Sequence, residues 1–227
     1  QYLGILEDGA EHHVLLNFHG CTLPRGWRRT WPNMMTLESV AGAEVYKFGT
    51  KFAPLAPVLN TILPFTRNVA GAMDYTPVTF TDHTYPHLTT FAHELALSVV
   101  FESGILHMAD KVEAYQSLPE YAKEFLRKVP TTWDDTKYIG GTPGDYVAIA
   151  RKSGDVWYVA GISGSETARH LTITTDFLEE GSYTADLILD GDHDQEFLNQ
   201  QLEIEAANQI SMDVLPYGGF AGIIIKK

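Results

Sequence analysis

The feature that most constrains the fold is a change of sequence pattern near residue 130. Before it, short apolar runs alternate with segments of helical spacing, whereas short β-branched and aromatic runs separated by glycine-containing turns follow it. The first pattern is typical of a parallel sheet with crossover helices, and the second of an antiparallel sheet. The sequence therefore predicts an α/β part over residues 1–130 and an all-β part over residues 131–227, with residues 140–144 as the connector.

Individual elements follow from the same patterns. The α/β part has strand candidates at residues 14–18 and 105–108 and a solvated turn at residues 7–9. Its helices are predicted at residues 87–102, ended by Gly104, and at residues 115–128, with Ser117 as N-cap and Pro119 at the start. In the all-β part, residues 190–194 are predicted to form a hairpin turn, and strands are predicted at residues 145–149, 156–162, 169–174, 183–189, 209–215 and 220–225.

The strand ending at Phe18 is followed by an unusually rich polar and aromatic segment. His19 comes directly after the strand, Trp27 and Trp31 lie in a rigid loop, and Glu38 and Glu44 follow. Glutamates in loops are usually solvated. Tryptophans are costly to expose, however, and catalytic groups of parallel barrels lie in the loops after strands. The two glutamates therefore suit either general acid catalysis or binding of a hard cation.

Composition excludes several classes of protein. Of the 227 residues, 44% are hydrophobic and 20% are charged, which is typical of a globular chain and argues against disorder. The net charge of −13 argues against nucleic acid or an anionic membrane as partner, because both require basic surfaces. The single cysteine, Cys21, precludes an intrachain disulfide.

The α/β part contains three long motifs, N-F-H-G-C-T-L-P-R-G-W-R-R-T-W-P-N, M-T-L-E-S-V-A-G-A-E and P-F-T-R-N-V-A-G-A-M-D-Y-T-P, and a fourth distinctive segment covers residues 133–158. These motifs resemble glycoside hydrolase family 97, a family of bacterial exo-acting α-glycosidases. The resemblance implies the second half of a (β/α)8 barrel over residues 1–130 and an antiparallel β domain over residues 131–227. A complete barrel needs about 250 residues, so we expect the remaining N-terminal portion of the enzyme to complete it.

The resemblance also assigns roles to particular residues. Glu44 matches the catalytic acid, and Glu38 matches a Ca²⁺ ligand, with Glu44 beside the ion. His19 holds a family position that contacts substrate, and we predict that Arg67 and Asn68, which follow an apolar segment, line the same pocket. Arg67 equally suits a structural ion pair.

Position 20 indicates the mechanism that the resemblance implies. Inverting members carry a base glutamate after this histidine, retaining members carry glycine, and this chain reads His19-Gly20. The nucleophilic aspartate of retaining members lies on an earlier strand, and the alignment places it before Gln1. We therefore expect a retaining α-galactosidase acting on oligosaccharides. The alternatives are an α-glucosidase of the same family and a catalytically silent carbohydrate-binding fragment. The family also implies a periplasmic or secreted bacterial protein.

Overall fold

A computed structural model describes residues 1–82 and 84–227. The chain begins with a helix, α1, which is followed by two short strands, β1 and β2, that pair in parallel. A parallel bridge between Leu37 and Met73 extends this arrangement by one more chain segment. Leu6, Met34 and Leu37 form a small buried cluster beneath these elements. The bounds are Tyr2–Glu11 for α1, Leu16–Phe18 for β1 and Met34–Leu37 for β2.

Four further α-helices lie between β2 and the first antiparallel strand in the part of the chain that the structure describes. The central one, α3, is buried over almost its whole length, since every residue from Ala92 to Val100 is buried. Thr90 caps its N-terminus, because the Thr90 hydroxyl accepts a hydrogen bond from the backbone N–H of His93 at 3.1 Å. The bounds are Ala56–Ile62 for α2, Phe91–Val100 for α3, Val112–Ser117 for α4 and Glu120–Lys128 for α5.

Eight antiparallel strands make up the rest of the chain. Six of them form one sheet in the order β3-β4-β5-β10-β7-β8, and β6 pairs with β9 in a second sheet. The bounds are Asp135–Thr142 for β3, Tyr146–Ser153 for β4, Val156–Ser163 for β5, Arg169–Thr174 for β6, Ser182–Asp190 for β7, Phe197–Glu205 for β8, Gln209–Val214 for β9 and Gly219–Lys226 for β10.

Both faces of the six-stranded sheet are buried along its inner strands. Along β4, Val147 and Ile149 join a core that contains α3, whereas Ala148 and Ala150 join a core shared with β6 and β9. Alternate residues of a strand point to opposite faces, which explains why β4 and β5 are nearly continuous apolar runs. The sheet is therefore the middle layer between the helices and the small second sheet.

Specific polar contacts also attach α3 to this sheet. The Thr90 hydroxyl donates to Asp190 Oδ1 at 2.5 Å, and the Arg151 guanidinium donates to the carbonyl groups of Val99 and Val100. These bonds satisfy buried polar groups that would otherwise be costly. The α-helical part and the β part therefore share one polar and apolar interface.

Several predicted elements of the α/β part are wrong. Residues 7–9 lie within α1 rather than in a turn, and residues 105–108 form no strand. The predicted helix over residues 115–128 is two helices, because Pro119 precludes a continuous helix, and Ser117 donates to the Ala114 carbonyl instead of capping. Of the expected series of β/α units, the described residues contain three parallel segments, which are β1, β2 and the segment that bridges at Met73.

The all-β part agrees more closely with the sequence. Its six predicted strands are confirmed as β4, β5, β6, β7, β9 and β10, and the predicted turn at residues 190–194 joins β7 to β8. The two strands that were not predicted, β3 and β8, are the edge strands of the larger sheet. Both are largely polar and are exposed or only partly buried, and the predicted connector at residues 140–144 lies partly within β3.

None of the helices among the described residues is sufficiently long and apolar to cross a bilayer.

Candidate active site

Chemically active side chains lie just beyond the ends of the parallel segments. His19 directly follows β1, Glu38 directly follows β2, and Asp74 follows Met73, which bridges to Leu37. Parallel segments that pair in register bring their carboxyl ends to one edge, so these three side chains meet. His107 joins them, because its backbone N–H donates to Asp74 Oδ1 at 3.3 Å.

The first group of side chains at this edge contains His19, Glu38 and Glu44. One ligand atom from each of them lies within 4.8 Å of the others. His19 Nδ1 is 3.7 Å from Glu38 Oε1, and the backbone N–H of Gly20 donates to Glu38 Oε2 at 2.7 Å. Gly20 has φ of +57°, a conformation that glycine adopts without steric cost. The His19-Gly20 turn therefore holds Glu38 in place.

Glu44 lies on a short 3₁₀ helix, Ala43–Lys47, and faces the same group. Its backbone N–H donates to the Thr76 hydroxyl at 3.2 Å. Burial raises the pKa of the Glu44 carboxyl, and the hydrogen bond and negative charge of Glu38 raise it further, whereas the charges of His19 and Lys47 lower it. A raised pKa favours the protonated form, which is the form a general acid needs.

A close backbone approach positions the Glu44 segment. The N–H of Ala43 donates to the Tyr75 carbonyl at 2.9 Å, and a Cβ on Gly42 would lie 2.3 Å from that carbonyl oxygen. Thr76 and Val78, just beyond, both have positive φ, which is costly for β-branched residues. Strained backbone persists only where the surroundings determine it, and it is frequent at functional sites.

The second group is centred on Asp74, whose side chain is fully buried. Asp74 Oδ2 accepts hydrogen bonds from His19 Nε2 at 2.8 Å, His107 Nδ1 at 2.5 Å and Asn17 Nδ2 at 2.6 Å. Burial raises the pKa of Asp74, but these three hydrogen bonds outweigh it and hold the pKa below its usual value. Asp74 therefore carries a buried negative charge beside the first group.

The sequence did not assign this role to Asp74 or to Asn17. The partners of Asp74 come from positions 17, 19 and 107, and no local pattern connects them. The only local signal is that Asn17, His19, Asp74 and His107 each occur at or beside an apolar run.

Arg67 and Asn68 are predicted to line the pocket, but the hydrogen bonds of their side chains go to backbone groups of the protein. The guanidinium of Arg67 is buried and donates to the carbonyl groups of Leu37, Glu38, Gly71 and Ala72. The Asn68 amide both donates to and accepts from the backbone of Glu102. These contacts give both residues a structural role in holding the ends of the parallel segments. No ion pair with a carboxylate holds Arg67 among the residues that the structure describes.

The tryptophans of the loop are partly buried in the protein itself. Trp27 stacks on Tyr2 with ring centroids 5.1 Å apart, and Trp27 and Trp31 both pack against the cluster around Leu6. This packing fixes the loop between β1 and β2.

Comparison with known proteins shows the family to which the chain belongs. Residues 1–40 match the family description "Glycoside hydrolase 97", and residues 132–225 match "Glycosyl-hydrolase 97 C-terminal, oligomerisation". The chain belongs to glycoside hydrolase family 97. The family 97 match spans both the α/β part and the antiparallel sheets.

Two curated sequences and one solved structure illustrate the family 97 relationship. A "Probable retaining alpha-galactosidase" of Streptomyces bingchenggensis is 40% identical over 98% of this chain and 33% of its own length. The "Retaining alpha-galactosidase" of Bacteroides thetaiotaomicron is 32% identical over 93% of this chain and 34% of its own length. A family 97 enzyme of Pseudoalteromonas sp. strain K8, solved with acarbose, superposes with a TM-score of 0.91. It is 31% identical and covers 100% of this chain and 37% of its own.

The chain thus spans about a third of the length of the curated relatives it matches.

Proposed function

We propose that this chain supplies the acid/base part of an exo-acting glycosidase that cleaves terminal α-galactosides with retention. The observation that carries the proposal is the Glu44 carboxyl, whose pKa is raised by burial and by Glu38 at the edge where the parallel segments end. The match to family 97 and the names of the two relatives support the reaction class and the substrate.

In the first step, a nucleophilic carboxylate attacks the anomeric carbon while Glu44 protonates the departing glycosidic oxygen. The glycosidic C–O bond breaks, and a covalent glycosyl–enzyme remains. In the second step, the Glu44 carboxylate removes a proton from water, and the resulting oxygen attacks the anomeric carbon and releases the nucleophile. Glu44 is protonated again at the end, and two inversions give net retention.

We place the nucleophile outside this chain. Retaining enzymes separate the nucleophile and the acid by about 5–5.5 Å, so that a sugar fits between them. Glu38 is too close, because a carboxylate oxygen of Glu38 lies within 4.8 Å of one of Glu44. Asp74 is fully buried beneath two imidazole rings, so an anomeric carbon does not reach it. An aspartate of the preceding part of the enzyme, as the family resemblance implies, takes this role in the proposal.

The same reasoning gives the architecture that we propose for the whole enzyme. Residues 1–130 form the second half of a catalytic (β/α)8 barrel, and residues 131–227 form the C-terminal β domain. The parallel pairing of β1 and β2 and the Met73 bridge support the first assignment, and the antiparallel sheets support the second. The remaining N-terminal portion of the protein is the partner that closes the barrel. A periplasmic or secreted location completes this proposal, on family resemblance alone.

We propose Ca²⁺ as the cofactor, held by the carboxylates of Glu38 and Glu44. The donor set fits, because carboxylate oxygens suit a hard cation and the two acidic groups repel one another without one. Glu38 is the stronger ligand candidate, since Glu44 must also carry a proton. When bound, the ion supplies positive charge that orients sugar hydroxyl groups and stabilises developing negative charge.

His19 remains our candidate for direct contact with the sugar, whereas the contacts of Arg67 and Asn68 support a scaffolding role. The His19 side chain is 35% exposed and lies beside the acid pair. A site built to hydrogen-bond one hydroxyl rejects the epimer that lacks it in the same position, because its polar groups stay unpaired. The epimer preference therefore decides between an α-galactosidase and the alternative α-glucosidase.

The proposal is tested by following the full-length enzyme on an aryl α-galactoside by proton NMR. We expect α-galactose as the first product, and an aryl α-glucoside is expected to be a poorer substrate. Initial release of β-galactose would contradict retention, and preference for the glucoside would favour the alternative. No hydrolysis of either compound by the full-length enzyme would favour a silent carbohydrate-binding protein.

A further inference from the structure

The hydrogen bonds that Asn17, His19 and His107 make to Asp74 have no role in the acid/base and nucleophile chemistry proposed above. Asp74 is fully buried, yet its two carboxylate oxygens accept four hydrogen bonds. Buried carboxylates are costly unless hydrogen bonds or charges compensate them. Two of the donors are imidazole rings that reach the surface, with His19 35% exposed and His107 56% exposed. Asp74 is thus a buried group that is hydrogen-bonded to two partly exposed rings at the proposed site.

The contacts determine which ring nitrogens carry protons. An ionised carboxylate only accepts hydrogen bonds, so Nε2 of His19 and Nδ1 of His107 must be the protonated nitrogens. The nitrogens left over are Nδ1 of His19 and Nε2 of His107. The first lies 3.7 Å from Glu38 Oε1, and the second is on the edge of the ring that turns away from buried Asp74.

A metal ion between His19, Asp74 and His107 is the alternative use of this group, since one ligand atom of each lies within 4.8 Å of the others. The Asn17 amide argues against it. Asn17 Nδ2 donates to the same Asp74 oxygen at 2.6 Å, and an amide N–H does not ligate a metal. The separations of 2.8 Å and 2.5 Å from the rings to Asp74 are also those of hydrogen bonds.

We propose that Asp74 is a positioning residue for the hydrolase proposed above. It fixes the tautomer and orientation of His19 and His107, so that Nδ1 of His19 and Nε2 of His107 accept hydrogen bonds from hydroxyl groups of the bound sugar. The proposal rests on the proposed function for the identity of the ligand, but the tautomers do not depend on it. Acceptors that are fixed before the sugar arrives need no reorganisation on binding.

Proton positions test the proposal directly. In a neutron crystal structure of the full-length enzyme, we expect a deuteron on Nε2 of His19 and on Nδ1 of His107, and none on the other nitrogen of either ring. The His107 result is the more discriminating, because the opposite tautomer is the more common one for a free imidazole. A deuteron on Asp74, or a His107 ring that is deuterated only on Nε2, would overturn the proposal.

The Asp74→Asn variant tests the consequence for the sugar. The amide that replaces the carboxylate carries no negative charge, and its NH2 group cannot accept the backbone N–H of His107 that donates to Asp74 Oδ1, so it holds the two rings less firmly. We expect KM for the aryl α-galactoside and the dissociation constant for galactose, measured by calorimetry, to rise by about 10–100-fold, with a smaller change in kcat. His107→Gln changes a ring that is 56% exposed and keeps an N–H donor; it is expected to raise KM and serves if Asp74→Asn does not fold. Unchanged KM and galactose affinity in a folded variant would contradict the proposal.

Asp213→Asn is the matched control. Asp213 also accepts a hydrogen bond from a histidine, His170, at 2.8 Å, but this pair lies exposed on β6 and β9. The control is expected to leave KM and the galactose dissociation constant unchanged. A variant Asp74→Asn that binds galactose weakly in an enzyme that cleaves no galactoside would support positioning and overturn the proposed reaction.

Discussion

At the scale of single residues, the candidate site depends on two carboxyl groups whose pKa values are shifted in opposite directions. Glu44 has a raised pKa because it is partly buried beside Glu38, whereas hydrogen bonds lower the pKa of Asp74 despite full burial. Two acidic groups with opposite shifts in one site are typical of glycosidases. The pKa of Asp74 is lowered by the three side-chain donors that converge on its Oδ2 atom, whereas a neighbouring carboxyl group, Glu38, helps to raise that of Glu44.

Substrates that differ in their leaving group are expected to reveal whether Glu44 is the general acid. In the full-length enzyme, Glu44→Gln removes the proton donor but keeps the shape of the side chain. We expect kcat/KM, which reports on formation of the glycosyl–enzyme, to fall by about 10²–10⁴-fold for a galactoside with a poor leaving group, and far less for a dinitrophenyl galactoside that needs no protonation in this step. Steady-state kinetics on both substrates measures this. Glu166→Gln, at an exposed loop residue, is the control, and equal losses on both substrates would remove the acid assignment.

The sequence could predict these residues only in part. Glu38, Glu44 and His19 were recognised because they lie in one long motif that resembles a known family. Asp74 was not, because its function depends on donors at positions 17, 19 and 107 that only the fold brings together. Arg67 follows an apolar segment as a pocket residue would, but backbone carbonyl groups already occupy its guanidinium.

At the scale of elements, the site depends on a close contact between the backbone at Gly42 and the backbone at Tyr75. The Gly42 turn contacts Tyr75, and this contact places Glu44 relative to Asp74. No pattern in the sequence predicts this contact, because glycines are common in loops. The strands of the β part were predictable from local alternation, but the edge strands β3 and β8 were not, since their residues are mostly polar.

Gly42→Ala is expected to impair catalysis through this contact. The added Cβ would lie 2.3 Å from the Tyr75 carbonyl oxygen, so the backbone before Glu44 must move. A displacement of about 1 Å costs about 100-fold in rate, and we expect a loss of kcat/KM of that order. Gly4→Ala, where no atom lies within 4 Å of the added Cβ, is the matched control within α1. Wild-type kcat/KM in a folded Gly42→Ala enzyme would contradict this account of how Glu44 is placed.

At the scale of the whole molecule, α3 joins the part that carries the site to the antiparallel sheets. His93 lies within this interface, fully buried, with Nδ1 donating to the Tyr217 carbonyl at 3.0 Å and Nε2 accepting from Asn60 at 3.0 Å. Burial lowers the pKa of His93 from 6.5 to about 3, although hydrogen bonds to the backbone of Tyr217 and Gly218 oppose this. The interface therefore requires a neutral histidine.

This requirement predicts a pH-dependent stability. The unfolded chain binds a proton at His93 below pH 6.5, whereas the folded protein does so only near pH 3. Stability from this group is therefore fully present above pH 6.5 and is lost as the pH falls toward 3. We expect the melting temperature of His93→Gln to fall less than that of wild type between pH 7 and pH 4.5.

Thermal unfolding at several pH values measures the effect. His170→Gln, on the exposed face of β6, is the control and is expected to keep the wild-type pH dependence. Identical pH dependence of wild type and His93→Gln would show that His93 does not limit the acid stability of the interface.

Chemical rescue of Glu44→Ala in the full-length enzyme tests the central claim most directly. With dinitrophenyl α-galactoside, the variant is expected to form its glycosyl–enzyme and then to stall, because no base activates water. Azide needs no base, so it is expected to restore turnover and to yield α-galactosyl azide. A product of β configuration, or no acceleration by azide, would contradict Glu44 as the acid/base of a retaining enzyme.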